Sequence, residues 1–529
     1  MAHVRGVSAT SSLAINTLLG GTSWWGQLTY AFPSFAPSDV GAITSGAHAV
    51  SPALRAAVRE AFDQVSGFTK LSVRETHGHG DVRILEADSL VPPGASAAQS
   101  LGAYAFLPGN YQLAGDIFFG SATAGDLREG SYGFRTVLHE VGHALGLKHP
   151  NEIGAFGRLP AHLDGAEHSV MSARGAPGQS ISEGLGIESG GFSQTFMPAD
   201  IAALQHLYGA DYSNARSTHY RFDVTERVVM ETIWDSGGRD TYNFSQFSND
   251  LSISLWPGQH STTGQEPQLN RAQELRFGDD PIFAEGSIHN AFLFRGDKRS
   301  LIENAIGGRG DDKIVGNVTA NKLYGQAGDD WIFGSRGSDY LGGGSGNDTL
   351  LGGDSADVIF GSYGNDSLRG NDHGDRLFGE GGNDRIFGDL GNDYLGGGYG
   401  DDILVGGHSH DVLRAGPGDD WLHGGYHNDR LFGDGGDDIL LGASGNDTLY
   451  GGPGADTLTG GAGADVFHLT AGDVVTDFSA GDTLDVPFPR GARIASYQDG
   501  DDAAIWVGPR SFAHLLDTNL ADLGADVFV

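Results

Sequence analysis

His139 and His143 stand four residues apart with Glu140 beside the first, the residue types and spacing of a metal site with a base next to it. On a helix this spacing puts both imidazoles on one face, with the carboxylate alongside. The chemistry that follows is hydrolysis by an activated water: zinc takes imidazole nitrogens readily, and a nearby carboxylate can accept a proton. A third ligand is needed. Gly146 sits where a left-handed residue would end the helix, and a turn there lets His149 reach the same ion as a third nitrogen, leaving one tetrahedral position open for water.

The element that must hold these groups is a helix from about Tyr132, buried through a stripe of Val137, Leu138, Val141, Ala144 and Leu145. The full pattern H-E-x-x-H-x-x-G-x-x-H runs from His139 to His149 and is that of metzincin zinc proteases. A helix carrying ordinary surface histidines accounts for neither Gly146 nor His149. Metzincins also need a methionine turn beneath the metal. Ser169-Val-Met171-Ser172, with Met171 twenty-two residues past His149, is the expected one. Around this site the sequence predicts a strand over Trp24 to Phe32 and a helix opened by Ser51-Pro52 and running to Gly67. Strands follow near 71–73 and 81–84, then at 103–106 and 116–119, and the 103–106 strand is an expected sheet edge able to hold a peptide by main-chain pairing. A last helix, Met197 to Tyr208, has Pro198 near its start and Gly209 past its end. His77 and His79 read as exposed loop residues and His206 as structural.

A chain of 529 residues, 39% apolar, is long enough for several domains. It carries 68 acidic against 32 basic residues, a formal charge of −36, and 86 glycines, more than twice the usual share. Nucleic acid and anionic membrane are poor partners for such a surface, whereas divalent cations suit it. Cysteine is absent, which excludes disulfides and thiol chemistry. The N-terminal residues show no apolar run with a small-residue cleavage site, and no stretch of eighteen apolar residues occurs, so neither Sec export nor membrane insertion is expected.

From Gly307 the chain becomes periodic with a period of nine, eighteen units without insertion as far as His468. Units such as Gly343-Gly-Ser-Gly-Asn-Asp-Thr-Leu-Leu351 fit the calcium-binding β-helix repeat. Glycines permit the turns, the sixth-position aspartate and exposed carbonyls supply oxygens, and the eighth-position aliphatic residue points inward. Each unit is half a coil. The expected calcium ligands are Asp312, Asp330, Asp339, Asp348, Asp357, Asp366, Asp375, Asp384 and Asp393, then Asp402, Asp411, Asp420, Asp429, Asp438, Asp447 and Asp456, while Asn321 stands at the sixth position of the second unit. A further calcium site is expected at Asp235 and Asp240, which flank a Gly-Gly turn.

The zinc motif followed by Pro150, the methionine turn, the helix Asp200 to Gly209, the stretch Ile302-Glu-Asn-Ala-Ile-Gly-Gly308 and the nonapeptides together resemble the serralysin family of bacterial secreted metalloproteases. The resemblance covers nearly everything after about residue 13. It implies a multidomain chain: an α+β metzincin zinc-protease domain followed by an all-β calcium-binding parallel β-roll with β-sandwich elements. The expected divisions are an N-terminal arm or short pro-segment (1–20), the protease domain (21–213), a β-rich connecting segment (214–306), the nonapeptide roll (307–468) and closing strands with an export signal (469–529). It further implies peptide-bond hydrolysis with Glu140 as base, one catalytic zinc on His139, His143 and His149, several calcium ions, and protein or peptide substrates outside the cell. Export by a type I ABC-transporter system, reading a C-terminal signal like Asp526-Val-Phe-Val529, and a monomeric state are also implied. One position departs from the family: Ala173 stands where a tyrosine two residues after the methionine is usual. The competing expectation is a calcium-dependent surface or adhesion protein with a catalytically silent metzincin domain.

Overall fold

Ser51 begins the first long helix as its residue type predicts, its hydroxyl accepting the Leu54 N–H at 3.4 Å with Pro52 as the first helical residue. Leu54, Val58, Ala61, Phe62 and Val65 recur at helical spacing and are buried, with Phe62 stacked on Tyr30 at 4.5 Å. The computed structural model describes residues 3–34, 44–91, 102–121, 125–152, 158–160, 164–174, 192–222, 229–262, 273–274, 282–283, 287–485, 496–499, 502–506 and 512–516. The expected export signal at Asp526 to Val529 lies outside them.

The chain divides into two compact units, Met1–Asp240 with Leu255–Ile302, and Thr241–Ser254 with Glu303–Val529. In the first unit the described elements run β1 (His3–Gly6), α1 (Leu13–Leu18), β2 (Thr22–Trp25), β3 (Leu28–Ala31), β4 (Thr44–His48), α2 (Pro52–Phe68), β5 (Val73–Thr76), β6 (Val82–Leu90), β7 (Ala103–Ala105), β8 (Ile117–Gly120), α3 (Tyr132–Ala144) and α4 (Pro198–Tyr208). The main sheet has the order β5-β3-β6-β8-β7, with β4 also on β6, and is parallel except where β7 pairs antiparallel with β8 and β4 with β6. β7 is therefore the edge strand that the sequence suggested. Residues 3–20 are not a free arm: β1 pairs with β2, and Leu18 and Leu19 are buried in the core.

The second unit is a parallel roll. Leu323 lies opposite Leu341 and Leu341 opposite Ile359, eighteen residues apart, so two nonapeptides make one coil. Every eighth-position residue from Ile314 to Phe467 is fully buried in the interior column. The roll begins earlier than the nonapeptide register. Thr241–Asn243 pairs in parallel with Asn304–Ile306, and Ser252–Ser254 with Lys313–Val315, so both ladders include early strands that lack the glycine pattern. The expected connecting segment 214–306 is thus split, because three other strands of it, Glu231–Ile233, His260–Ser261 and Ile288–Asn290, form a small sheet in the first unit. Beyond the last repeat, Thr483–Asp485 closes on Val466–His468.

Leu395 is fully buried in the column between Leu377 and Leu413. Leu395→Ala is expected to cost about 2–5 kcal/mol, read as a lower urea midpoint in excess calcium. Leu390→Ala, at an exposed position of a neighbouring strand, should leave the midpoint unchanged.

Candidate metal centres

Ser131 caps the start of α3, accepting the Phe134 N–H at 3.1 Å. The far end is closed by side chains from distant parts of the first unit. The Trp24 indole donates to the Ala144 carbonyl at 2.8 Å, and the Tyr208 hydroxyl to the Leu145 carbonyl at 2.5 Å. Gly146 then takes φ +106°, and a Cβ there would stand 2.5 Å from the Thr22 carbonyl, so this reversal requires glycine on both grounds. Backbone bonds from Gly20 to Gly146 and from Lys148 to Leu18, both 2.8 Å, fix the returning strand.

That reversal gathers the three histidines. His149 Nε2 lies 3.1 Å from His139 Nε2 and 3.2 Å from His143 Nε2. Tetrahedral zinc with bonds of about 2.0–2.1 Å sets nitrogen–nitrogen separations of about 3.3 Å, so the three atoms are spaced for one ion. Each remaining ring nitrogen is occupied: His139 Nδ1 by the Val170 carbonyl at 2.8 Å, His143 Nδ1 by the Leu147 carbonyl at 2.8 Å, and His149 Nδ1 by Glu152 Oε1 at 2.6 Å. Carbonyls only accept, so the Nδ1 atoms of His139 and His143 carry the protons and their Nε2 lone pairs face inward. Burial, then the neighbouring imidazoles, pushes His143 down to about 4 and His139 well below its usual value, which keeps both neutral as a metal requires. Glu140 is buried beside them, and its Oε2 has no protein partner among the described residues. Burial raises its pKa to about 8, against the pull of the Arg135 charge.

The floor of the site is the methionine turn, held by residues that local motifs do not reveal. Asp200, buried in the first turn of α4, accepts from Ser169 Oγ at 2.6 Å, from the Val170 N–H at 2.7 Å and from the Met197 N–H at 3.0 Å. Arg135, one turn before His139 and equally buried, donates to the Val170 and Ser172 carbonyls at 2.8 and 2.5 Å. Met171 is fully buried, and a Cβ on Gly142 would stand 2.7 Å from its sulfur, so the glycine inside the zinc motif gives the turn its closeness. Ala173 is half-buried. Arg174 is drawn inward to Asp164, a carboxylate 1% exposed at 3.1 Å that needs a counter-charge. Tyr104 on β7 is raised in pKa by burial and then by the Glu140 charge. His77 and His79 are exposed, and His206 bonds the Ser8 carbonyl at 2.8 Å.

In the roll each sixth-position aspartate is buried, and one oxygen accepts the N–H of the aspartate one coil earlier, as Asp348 Oδ1 does from Asp330 at 2.8 Å. The other oxygen has no partner at Asp330, Asp339, Asp348 and every later sixth-position aspartate through Asp456, and also at Asp465, which the expected ligand set left out. These atoms face a cradle. A Cβ on Gly442 would stand 2.5 Å from Asp447 Oδ2 and 2.6 Å from the Gly460 carbonyl, so a carboxylate and a carbonyl of the next coil point into one gap. An oxygen-only donor set around a dry gap fits calcium. Asp312 differs, because the Leu251 and Gly308 N–H groups occupy its two oxygens. Asp235 and Asp240 are also held by protein donors: Asp235 by Tyr220 hydroxyl and Gly237 N–H, Asp240 by Thr218 N–H, each at 2.6 Å.

Three family models match the chain: Matrixin over residues 43–156, Peptidase M10 serralysin C terminal over 199–267, and the RTX calcium-binding nonapeptide repeat in five stretches between 306 and 474. Metalloprotease AprA of Pseudomonas entomophila is 30% identical over 363 residues, 61% of this chain and 67% of the relative. The chain belongs to the serralysin family. Serralysin C and Serralysin G of Dickeya chrysanthemi are 33% and 30% identical over 233 and 257 residues, and these matches span only 43% and 47% of their lengths. The fold is that of the family, a matrixin unit and a parallel β-roll, and the matched domains imply a catalytic zinc and structural calcium.

Burial lifts the unpartnered aspartates to about 6 at Asp348 and Asp384, about 7 at Asp339 and Asp357, and about 8 at Asp330, Asp375 and Asp411. These values lie above the unfolded value of about 3.9, so bound protons stabilise the calcium-free roll fully below about pH 4, and that stability drains away as pH rises through about 6 to 8. Circular dichroism in EGTA should show β content at about pH 5 that is lost by about pH 8, and millimolar calcium should abolish the dependence. Equal β content in EGTA at both pH values would contradict this. In the first unit, Asp200→Asn replaces one of the two oxygens that hold Ser169, Val170 and Met197 with an NH₂ and removes a negative charge from beside the buried Arg135. It should cost about 3 kcal/mol or more, seen as a lower melting temperature and faster loss of zinc to a chelator.

Proposed function

We propose that this chain is a secreted zinc-dependent endopeptidase that hydrolyses peptide bonds of extracellular proteins. The observation that carries the reading is the convergence of three Nε2 atoms beside a buried carboxylate oxygen with nothing to bond. His139, His143 and His149 hold the zinc through Nε2. When bound, it supplies a Lewis acid that polarises the scissile carbonyl and makes water acidic enough to attack at neutral pH. Glu140 takes the proton of the attacking water and passes it to the departing amine, the role its position on the ligand face allows. β7, the sheet edge, pairs with the substrate main chain, which grips a peptide without demanding a particular side chain. With Ala173 in the family's tyrosine position, no phenol from that site joins the metal or the developing oxyanion. The partners are protein substrates and a type I export apparatus, the calcium of the roll is structural, and the protein works as a monomer outside the cell.

Casein digestion by the full chain, zinc- and calcium-loaded, tests the reading. Glu140→Ala should keep its zinc yet hydrolyse about 10²–10⁴ times more slowly, because a base is removed and no ligand is. His149→Ala should lose metal and activity together. Wild-type protein with full zinc content and no hydrolysis would favour a calcium-dependent surface protein with a silent metzincin domain, and near-normal activity in the Glu140 variant would remove that residue from the mechanism.

A further inference from the structure

The outer surface of one roll sheet carries side chains whose placement the calcium cradle and the inner column do not require. Tyr363 and Tyr399 are 76% and 73% exposed, the two most exposed large hydrophobic side chains among the described residues. Gly381 is in register with both, so the two rings occupy the same column two rungs apart with no side chain between them. At a strand spacing of about 4.8 Å, two rungs are about 9.6 Å. The Tyr363 ring leans over the vacant rung, with Cδ1 3.9 Å from where a Gly381 Cβ would stand.

Beside this column runs an aromatic ladder, in which Phe360 and Phe378 stack at 4.9 Å and 17°. It is interrupted at Gly396, which is in register with Phe378 on one side and Arg414 on the other. The gap opens a groove of about 630 Å³ between the ladder and the two tyrosines. Its polar rim is Glu380 with the ion pair of Arg414 and Asp434, Nε to Oδ2 2.5 Å. Exposed aromatic rings on a flat sheet contribute little to a roll whose stability lies in its inner column and its cations. They make a platform with apolar faces and a hydrogen-bonding edge.

We propose that this groove binds a linear, neutral, β-1,4-linked hexopyranose chain. The faces of such a sugar are C–H rich and lie flat on aromatic rings, while its equatorial hydroxyls point outward to donors and acceptors like Glu380, Asp434 and Arg414. Each ring of the chain is turned half-way round from the one before, so the same face recurs every second sugar, the interval that two rungs provide. Charge selects the neutral chain. The guanidinium in the groove is already paired with Asp434, and Glu380 lines the same rim, so a polyuronate or sulfated chain would meet repulsion without a free cation to offset it. The binding surface lies wholly in the roll and does not rest on the protease reading.

The test is calorimetric titration of the calcium-loaded full chain with cellohexaose. Wild-type protein should bind, and the double variant Tyr363→Ala/Tyr399→Ala should bind at least tenfold more weakly with its circular dichroism unchanged. Gly396→Leu, which fills the gap, should weaken binding in the same way. Tyr426→Ala, an exposed tyrosine on the other sheet, should not. Absence of binding to cellohexaose, an unaltered affinity in the double variant, an equal loss in the Tyr426 variant, or tighter binding of a polyuronate chain would each overturn the proposal.

Discussion

Along the roll from Asp330 to Asp465, one carboxylate oxygen per half-coil is buried where no N–H reaches it. Such an oxygen cannot stay charged in a dry gap without a cation, and like charges stacked along two columns repel one another as well. Calcium answers both problems, and much of the second unit's composition follows from it. Glycine lines nearly all of the gaps because a Cβ would crowd the carboxylate there, Ala415 being the exception among the repeats. The acidic excess is tolerable because much of it is directed at cations. The apolar column can be one residue wide because it does not have to hold the coils together alone.

The first unit meets the same difficulty differently. Asp200 is as buried as the roll aspartates, yet its oxygens are taken by a hydroxyl and two N–H groups, with the Arg135 charge close enough to offset its own. Asp164 is matched by Arg174 and Asp116 by Arg83. Here buried charge locks one loop to one helix instead of recruiting an ion, and what it locks is the floor of the zinc site. Val170 shows the economy of the arrangement: its carbonyl receives both His139 and Arg135, and its N–H reaches Asp200.

What could be read in the sequence divides along contact range. The histidine triad, Gly146, the cap at Ser51 and the eighth-position column are local patterns, each set by one helical or coil repeat, and each appears in the structure where its spacing places it. The edge position expected of β7 is also where the structure has it, paired with β8 at the end of the sheet. Hidden from the sequence were the contacts that join distant segments. Trp24 and Tyr208 cap α3 from residues more than sixty positions away, Arg135 and Asp200 meet only through the methionine turn, and Arg174 is drawn inward by Asp164. The start of the roll was misplaced for a related reason. Thr241–Asn243 and Ser252–Ser254 carry no nonapeptide signature, and only their parallel pairing with later strands assigns them to it. Asp465 had the right position in its repeat and was passed over at the end of the series, although its oxygen is as bare as the others.

These two ways of handling buried charge give the metals different parts to play. Around the histidines every Nδ1 already has its partner, the turn at Gly146 is closed by backbone bonds, and the methionine turn is pinned by Asp200 and Arg135, all through protein atoms alone. Zinc therefore enters a site whose geometry is already paid for by packing, and its loss removes chemistry more than fold. The roll has no equivalent reserve. Its aspartate oxygens have only a cation or a proton to turn to, so its metal is part of the folding reaction itself. A chain built this way can keep its repeats unfolded wherever calcium is scarce and order them where it is plentiful, with a switch set by the affinity of many weak oxygen sites and not by any single strong one.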